Sequence, residues 1–109
     1  MNQGDIYICD LEPIAGHEQG GKRPVLVVSS TAFNKVAGTP VILPITTGGK
    51  FADRIGFALP VPAGHKTKGT IRCDQPRTLD IAARHGYFAE RLADDALSEA
   101  IERMFAIFE

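Results

Sequence analysis

Cysteine is scarce in this chain and long apolar runs are missing. Only Cys9 and Cys73 occur among 109 residues. Two are too few for a disulfide scaffold, and they lack the paired spacing of a structural zinc site. The simplest compartment for such a chain is a reducing cytoplasm. No apolar run approaches the ~20 residues a membrane helix needs, so no membrane span is expected. Met1-Asn2-Gln3-Gly4-Asp5 has no positive region ahead of an apolar stretch, so no secretory leader is expected either. Repeats, low-complexity tracts and linkers are also missing, which leaves a single domain over residues 1–109 as the expectation.

Lys and Arg are absent from residues 1–21, which carry Asp5, Asp10, Glu12 and Glu18 for a net −4. Residues 22–84 hold ten basic groups against Asp53, Asp74 and Asp80, a net +7. Residues 85–109 return to −4, so the overall −1 conceals a basic middle between acidic ends. That distribution permits a positive face for a polyanion on a near-neutral protein. With 44% hydrophobic and 23% charged residues the chain is globular in character.

Glycine and proline fall between short apolar runs, the pattern of a small β-rich domain. Asp5–Leu11 alternates as a strand does. Pro24–Ser29 contains Val25-Leu26-Val27-Val28, a continuous run short enough for a buried strand. Ser30–Ala37 suits one or two helical turns capped by Ser30 or Thr31. Pro40–Thr46 reads as a strand whose two prolines suit its ends or an edge. Ile55–Val61, Thr70–Asp74 and Tyr87–Leu92 are weaker strand candidates. The period then changes. Leu97, Ile101, Met104, Phe105 and Phe108 fall on one helical face, with Asp94 as expected N-cap, and that stripe is read as core. One helix after five or six strands gives an α+β fold, a small curved barrel or sandwich with a helix packed on it.

Gly16-His17-Glu18-Gln19-Gly20-Gly21-Lys22 fits the first seven positions of a phosphate-binding P-loop, but Arg23 stands where Ser or Thr should hold magnesium. Pro24 and β-favouring residues then replace the required helix, so nucleotide binding is rejected. His17, His65, His85, Cys9 and Cys73 lack metal spacing, and no nucleophile elbow surrounds a serine. The densest candidate is Thr70-Ile71-Arg72-Cys73-Asp74-Gln75-Pro76-Arg77. If extended, it puts Arg72 and Asp74 on one face and Cys73 on the other. Such a pair can hold a phosphate with the cation and take a proton with the anion. Read on the residues alone, a surface ion pair is the simpler account. His17, in a glycine-flanked loop, can titrate near neutrality or have no task.

Several ordered stretches together resemble the Kid/PemK branch of the MazF family of toxin endoribonucleases. They are Ala15-Gly16-His17-Glu18-Gln19, Arg23-Pro24-Val25-Leu26, Ala32-Phe33-Asn34, Pro44-Ile45-Thr46, Gly48-Gly49, Gly56-Phe57-Ala58 and Arg72-Cys73-Asp74-Gln75-Pro76-Arg77-Thr78. The resemblance runs from Gly4 to about Arg84 and more weakly through the terminal helix. It implies an SH3-like twisted β-barrel with a C-terminal α-helix, a homodimer, and inhibition by a cognate antitoxin protein. It also implies cleavage of single-stranded RNA without metal or cofactor. By position, His17, Arg72 and Asp74 match the family's proposed catalytic group. Asp5, Thr46, Thr47, Ile55, Phe57, Lys68, Thr70 and Arg84 match positions lining its RNA site. Asp5 is shorter than the Glu of close relatives, Ile55 is bulkier than the small residue expected, and Pro62–Lys68 is shorter by one residue. Lys68 and Thr70 also depart in type, and these differences bear on base preference more than on chemistry.

The implied chemistry follows from RNA itself. A 2′-hydroxyl relieved of its proton attacks the adjacent phosphodiester, leaving a 2′,3′-cyclic phosphate and a 5′-hydroxyl. Asp74 is assigned as base and Arg72 as phosphate clamp. The acid stays open between His17 and Arg72, the latter made awkward by a pKa above ~12. Phe57 suits either base stacking or core packing. The rival reading is a binding-only toxin of the same fold, like the gyrase poison CcdB. CcdB uses a tryptophan near its C-terminus, whereas this chain has no tryptophan and ends Ile107-Phe108-Glu109.

Overall fold

Val25-Leu26-Val27-Val28 is apolar without a break because both sides of its strand are covered. Leu26 and Val28 join one core, with Leu43, Ile45, Ile71 and Leu97. Val25 and Val27 join a second, with Cys9, Ile42, Leu79 and Ile81. Successive strand residues point to opposite faces, so a run without polar members is what a doubly covered strand requires.

The computed structural model describes residues 1–11, 21–47 and 56–109. Among these, β1 (Asp5–Asp10), β2 (Lys22–Val27), β3 (Val41–Thr46), β4 (Ala58–Pro60), β5 (Thr70–Arg72), β6 (Arg77–Thr78) and β7 (Tyr87–Arg91) form an antiparallel sheet. The order is β4-β5-β3-β2-β1-β7, with β6 beside β3. Together with the helix at its end, this is the small α+β architecture expected. Pro44 lies inside a central strand, against the expectation of an end or edge. It is tolerated because β6 pairs with Val41 and Ile42 while β5 pairs with Ile45 and Thr46. The ladder is interrupted between the two, where Pro44 offers no N–H.

Helix α1 (Thr31–Ala37) is capped by Ser30, whose Oγ accepts from the Phe33 N–H at 3.1 Å. Helix α2 (Asp94–Phe105) follows β7 and continues into a 3₁₀ turn, Ala106–Phe108. Its N-cap is Ala93, with no side-chain cap, so the expected Asp94 cap is not formed. Asp94 instead accepts from Arg91 at 3.3 Å. The apolar stripe divides. Leu97 and Met104 are buried and Ile101 packs against the core, but Phe105 and Phe108 are 56% and 75% exposed. At ~100° per residue Phe105 has turned ~80° from Leu97, and Phe108 lies in the tighter 3₁₀ turn. No helix among the described residues is long and apolar enough to cross a membrane.

Candidate active site

Strand β5 places the site. Ile71 is fully buried, so its neighbours Thr70 and Arg72 emerge on the opposite face. Thr70 pairs with Thr46 at the end of β3, and Arg72 with Ala58 on β4. Residues directly opposed across strands share a face, which sets Thr46, Thr70 and Arg72 along one row on the side of β5 away from Ile71. Gly69 has φ +134°, and a Cβ there would stand 2.7 Å from the Thr46 carbonyl oxygen. Only glycine lets β5 begin this close to β3.

The chain turns immediately after Arg72. The Gln75 N–H donates to the Arg72 carbonyl at 3.1 Å, and the Cys73 N–H to Phe57 O at 3.0 Å. Asp74 therefore stands in a turn, where sequence reading had extended the strand to it. The turn folds its carboxylate back on Arg72. Nε donates to Oδ1 and Nη2 to Oδ2, both at 3.1 Å. The two side chains are only 16% and 18% exposed. This is a bidentate, partly sheltered pair, stiffer than an ordinary surface ion pair. Arg72 spends two of its five N–H groups on Asp74, and Asp74 retains lone pairs for a further proton. Cys73 points into the core. Burial, with lesser help from Asp74 and Glu99 and against Arg103, pushes its thiol up to about 11, which suits packing and not nucleophilic work.

The other expected residues fall in different places. Thr46 Oγ1 is buried without a hydrogen-bond partner among the described residues. Thr47 is exposed at the strand end. Lys68 is exposed and donates from Nζ to the His65 carbonyl at 3.2 Å. The Phe57 side chain is half-buried and packs against the core. Asp5 and Arg84 are not in the Arg72 row. Asp5, 7% exposed, stands on β1, separated from β5 by β2 and β3 in sheet order. It accepts from the Asn2 N–H at 3.0 Å. Arg84 holds the end of β1, donating from Nη1 to the carbonyls of Asp10 at 3.2 Å and Leu11 at 2.6 Å. His17 and Ile55 lie outside the described residues.

Sequence reading missed Arg103. Its Nη1 donates to the Ala58 carbonyl at 2.6 Å and its Nη2 to Glu99 at 2.7 Å, tying α2 to β4, the strand paired with β5. The i,i+4 pair with Glu99 was its available signal. Among the described residues no three His, Cys, Asp or Glu side chains gather into a metal-binding group.

Comparison with known proteins gives this geometry a family. The sequence matches the PemK-like, MazF-like toxins of type II toxin–antitoxin systems over residues 2–108. It is 46% identical to Endoribonuclease PemK of Escherichia coli over 108 residues, covering 98% of this chain and 81% of the relative. It is 38% identical to Endoribonuclease toxin ChpB of Escherichia coli K12 over 111 residues, covering 100% and 95%. The fold superposes on MazF in a MazE–MazF crystal structure from Deinococcus radiodurans with TM-score 0.86, 30% identity, and 99% and 95% coverage. The seven-stranded sheet of the described residues, the terminal helix and the match across nearly the whole chain agree: the protein belongs to the PemK-like, MazF-like toxins of type II toxin–antitoxin systems.

Proposed function

We propose that the chain is a toxin that cuts single-stranded RNA at short sequences, using side chains alone and no metal or cofactor. The observation that carries this reading is the bidentate pair between Arg72 at the end of β5 and Asp74 in the turn that follows. Asp74 takes the proton from a ribose 2′-hydroxyl. The 2′-oxygen bonds to phosphorus, the bond from phosphorus to the 5′-oxygen breaks, and His17 or Arg72 returns a proton to the leaving oxygen. Arg72 clamps the phosphate through its remaining N–H groups, stabilising charge as it builds. The products are a 2′,3′-cyclic phosphate and a 5′-hydroxyl. Relatives named endoribonucleases support the assignment.

Thr46, Thr47, Lys68 and Thr70 lie along or beside the same row and are assigned to the RNA. Asp5, Ile55, Phe57 and Arg84 are kept as RNA-site positions by family resemblance. The chain works as a homodimer in the cytoplasm. Tyr87 and Phe88 on edge strand β7, each more than half exposed, offer apolar surface for pairing. Its inhibitor is an acidic, partly disordered antitoxin segment that competes with RNA for Lys50, Arg54, Arg72 and Arg84. Of these, Lys50 and Arg54 lie outside the described residues. A solved relative is a MazE–MazF complex.

Asp74→Asn tests the chemistry, since it keeps the side chain's shape and removes the proton acceptor. Cleavage should fall by at least ~100-fold with the circular dichroism spectrum unchanged. A variant cutting within threefold of wild type would remove Asp74 from the base role.

A further inference from the structure

The loop joining β4 to β5, residues 61–69, is closed at its neck by the Val61 N–H donating to the Gly69 carbonyl at 3.0 Å. It leads directly into Thr70 and Arg72 and carries Lys68. Strands β4 and β7 are at opposite ends of the sheet order, yet the loop reaches β7, and Glu90 is what it meets. Glu90 Oε1 accepts from the Lys66 N–H at 3.1 Å. Its Oε2 accepts from the Thr67 N–H at 2.7 Å and from the Thr67 hydroxyl at 2.6 Å.

The local register explains why the carboxylate is there. Glu90 pairs with Ile6 and Phe88 with Tyr7, so Ala89 is the extra residue of a β-bulge. Glu90 thereby shares a face with Ile6, which is fully buried. The Glu90 side chain is itself half-buried, and the loop supplies its carboxylate with three donors. Burial raises the Glu90 pKa, but the Thr67 hydroxyl, the Thr67 and Lys66 N–H groups and nearby His65 outweigh it and hold the carboxyl below its ordinary value. A second tie lies alongside. His65 Nε2 accepts from the Ala93 N–H at 3.2 Å, at the start of α2.

We infer that Glu90 is a positioning residue for the RNA site. It latches the 61–69 loop across the barrel so that Lys68 and Thr70 are presented in line with Arg72. The inference rests on the nuclease reading above and assigns no proton transfer to Glu90. The Arg72–Asp74 pair closes within its own strand and turn, so loosening the latch should weaken RNA binding and broaden site preference while sparing the chemical step. Gln at position 90 sets an amide N–H₂ against a loop donor. Thr67→Ala removes one donor only, and Thr67→Ser keeps it.

The test uses the full chain and a pool of defined single-stranded RNAs, with KM and kcat measured separately and amide hydrogen exchange read at Lys66 and Thr67. Glu90→Gln should raise KM about tenfold, a size suited to losing charge-assisted hydrogen bonds. Its kcat should stay within threefold, its cleavage sites should broaden, and both amides should exchange faster. Thr67→Ser should match wild type. Wild-type KM and site preference in a folded Glu90→Gln protein would overturn the proposal, as would unchanged exchange. Should Glu90→Gln fail to fold, Thr67→Ala decides, since a wild-type KM there overturns the proposal and a raised KM supports it. Wild-type protein that cuts no RNA overturns the nuclease reading itself, a result distinct from a latch variant that cuts normally.

Discussion

Asp74 and Cys73 are adjacent in sequence and opposite in environment. The carboxylate is partly exposed and paired with Arg72, and the thiol is fully buried in the core. Alternation along Thr70–Asp74 led to that division, and it holds, although a turn and not a continued strand delivers Asp74. What the residues could not reveal was the tightness of the pair, which depends on the turn closing from Gln75 to Arg72. Asp5 and Arg84 show the converse, because their partners, Asn2 on the N-terminal segment and Asp10 on β1, are set by the fold. The thiol yields a prediction. Its pKa rises from 9.0 to about 11 on folding, so the native state favours the protonated form. That contribution to stability is complete below pH 9 and is lost as pH climbs through 11. At pH 8 Cys73 should resist Ellman's reagent until the chain unfolds. Stoichiometric labelling of folded protein within seconds would contradict its placement.

At the level of elements, the sequence patterns worked where one period ran long enough. The doubly buried run of β2 and the existence of α2 were legible. Strand β6, two residues long, has no period to read, and the Glu90 latch joins positions more than twenty residues apart. The α2 stripe was legible only in part, since the sheet covers Leu97, Ala100 and Met104 and leaves Phe105 outside. Burial should therefore decide the cost of truncation. Met104→Ala, at a residue 9% exposed, should destabilise by about 2–5 kcal/mol. Val36→Ala on α1, at a residue 90% exposed, should stay within about 0.5 kcal/mol. Urea titrations of both variants check this, and equal midpoints would contradict the packing described for α2.

For the whole molecule, the near-zero net charge conceals a basic middle, and the fold gathers part of it at the β5 site. A small barrel with exposed aromatic side chains on an edge strand gains by pairing. Light scattering at micromolar concentration should give twice the chain mass. Adding the acidic product of the neighbouring gene should raise it further and displace RNA, less so as salt increases. A strict monomer, or an inhibited complex that still binds RNA at full affinity, would contradict this assembly. The chemistry itself is tested most directly by the ends of the cut RNA. Purified protein should cleave single-stranded RNA in EDTA, and the downstream fragment should accept label from polynucleotide kinase without prior phosphatase, because it bears a 5′-hydroxyl. A 5′-phosphate on that fragment, or cleavage abolished by the chelator, would mean that water bound to a metal is the nucleophile and would contradict the Arg72–Asp74 mechanism.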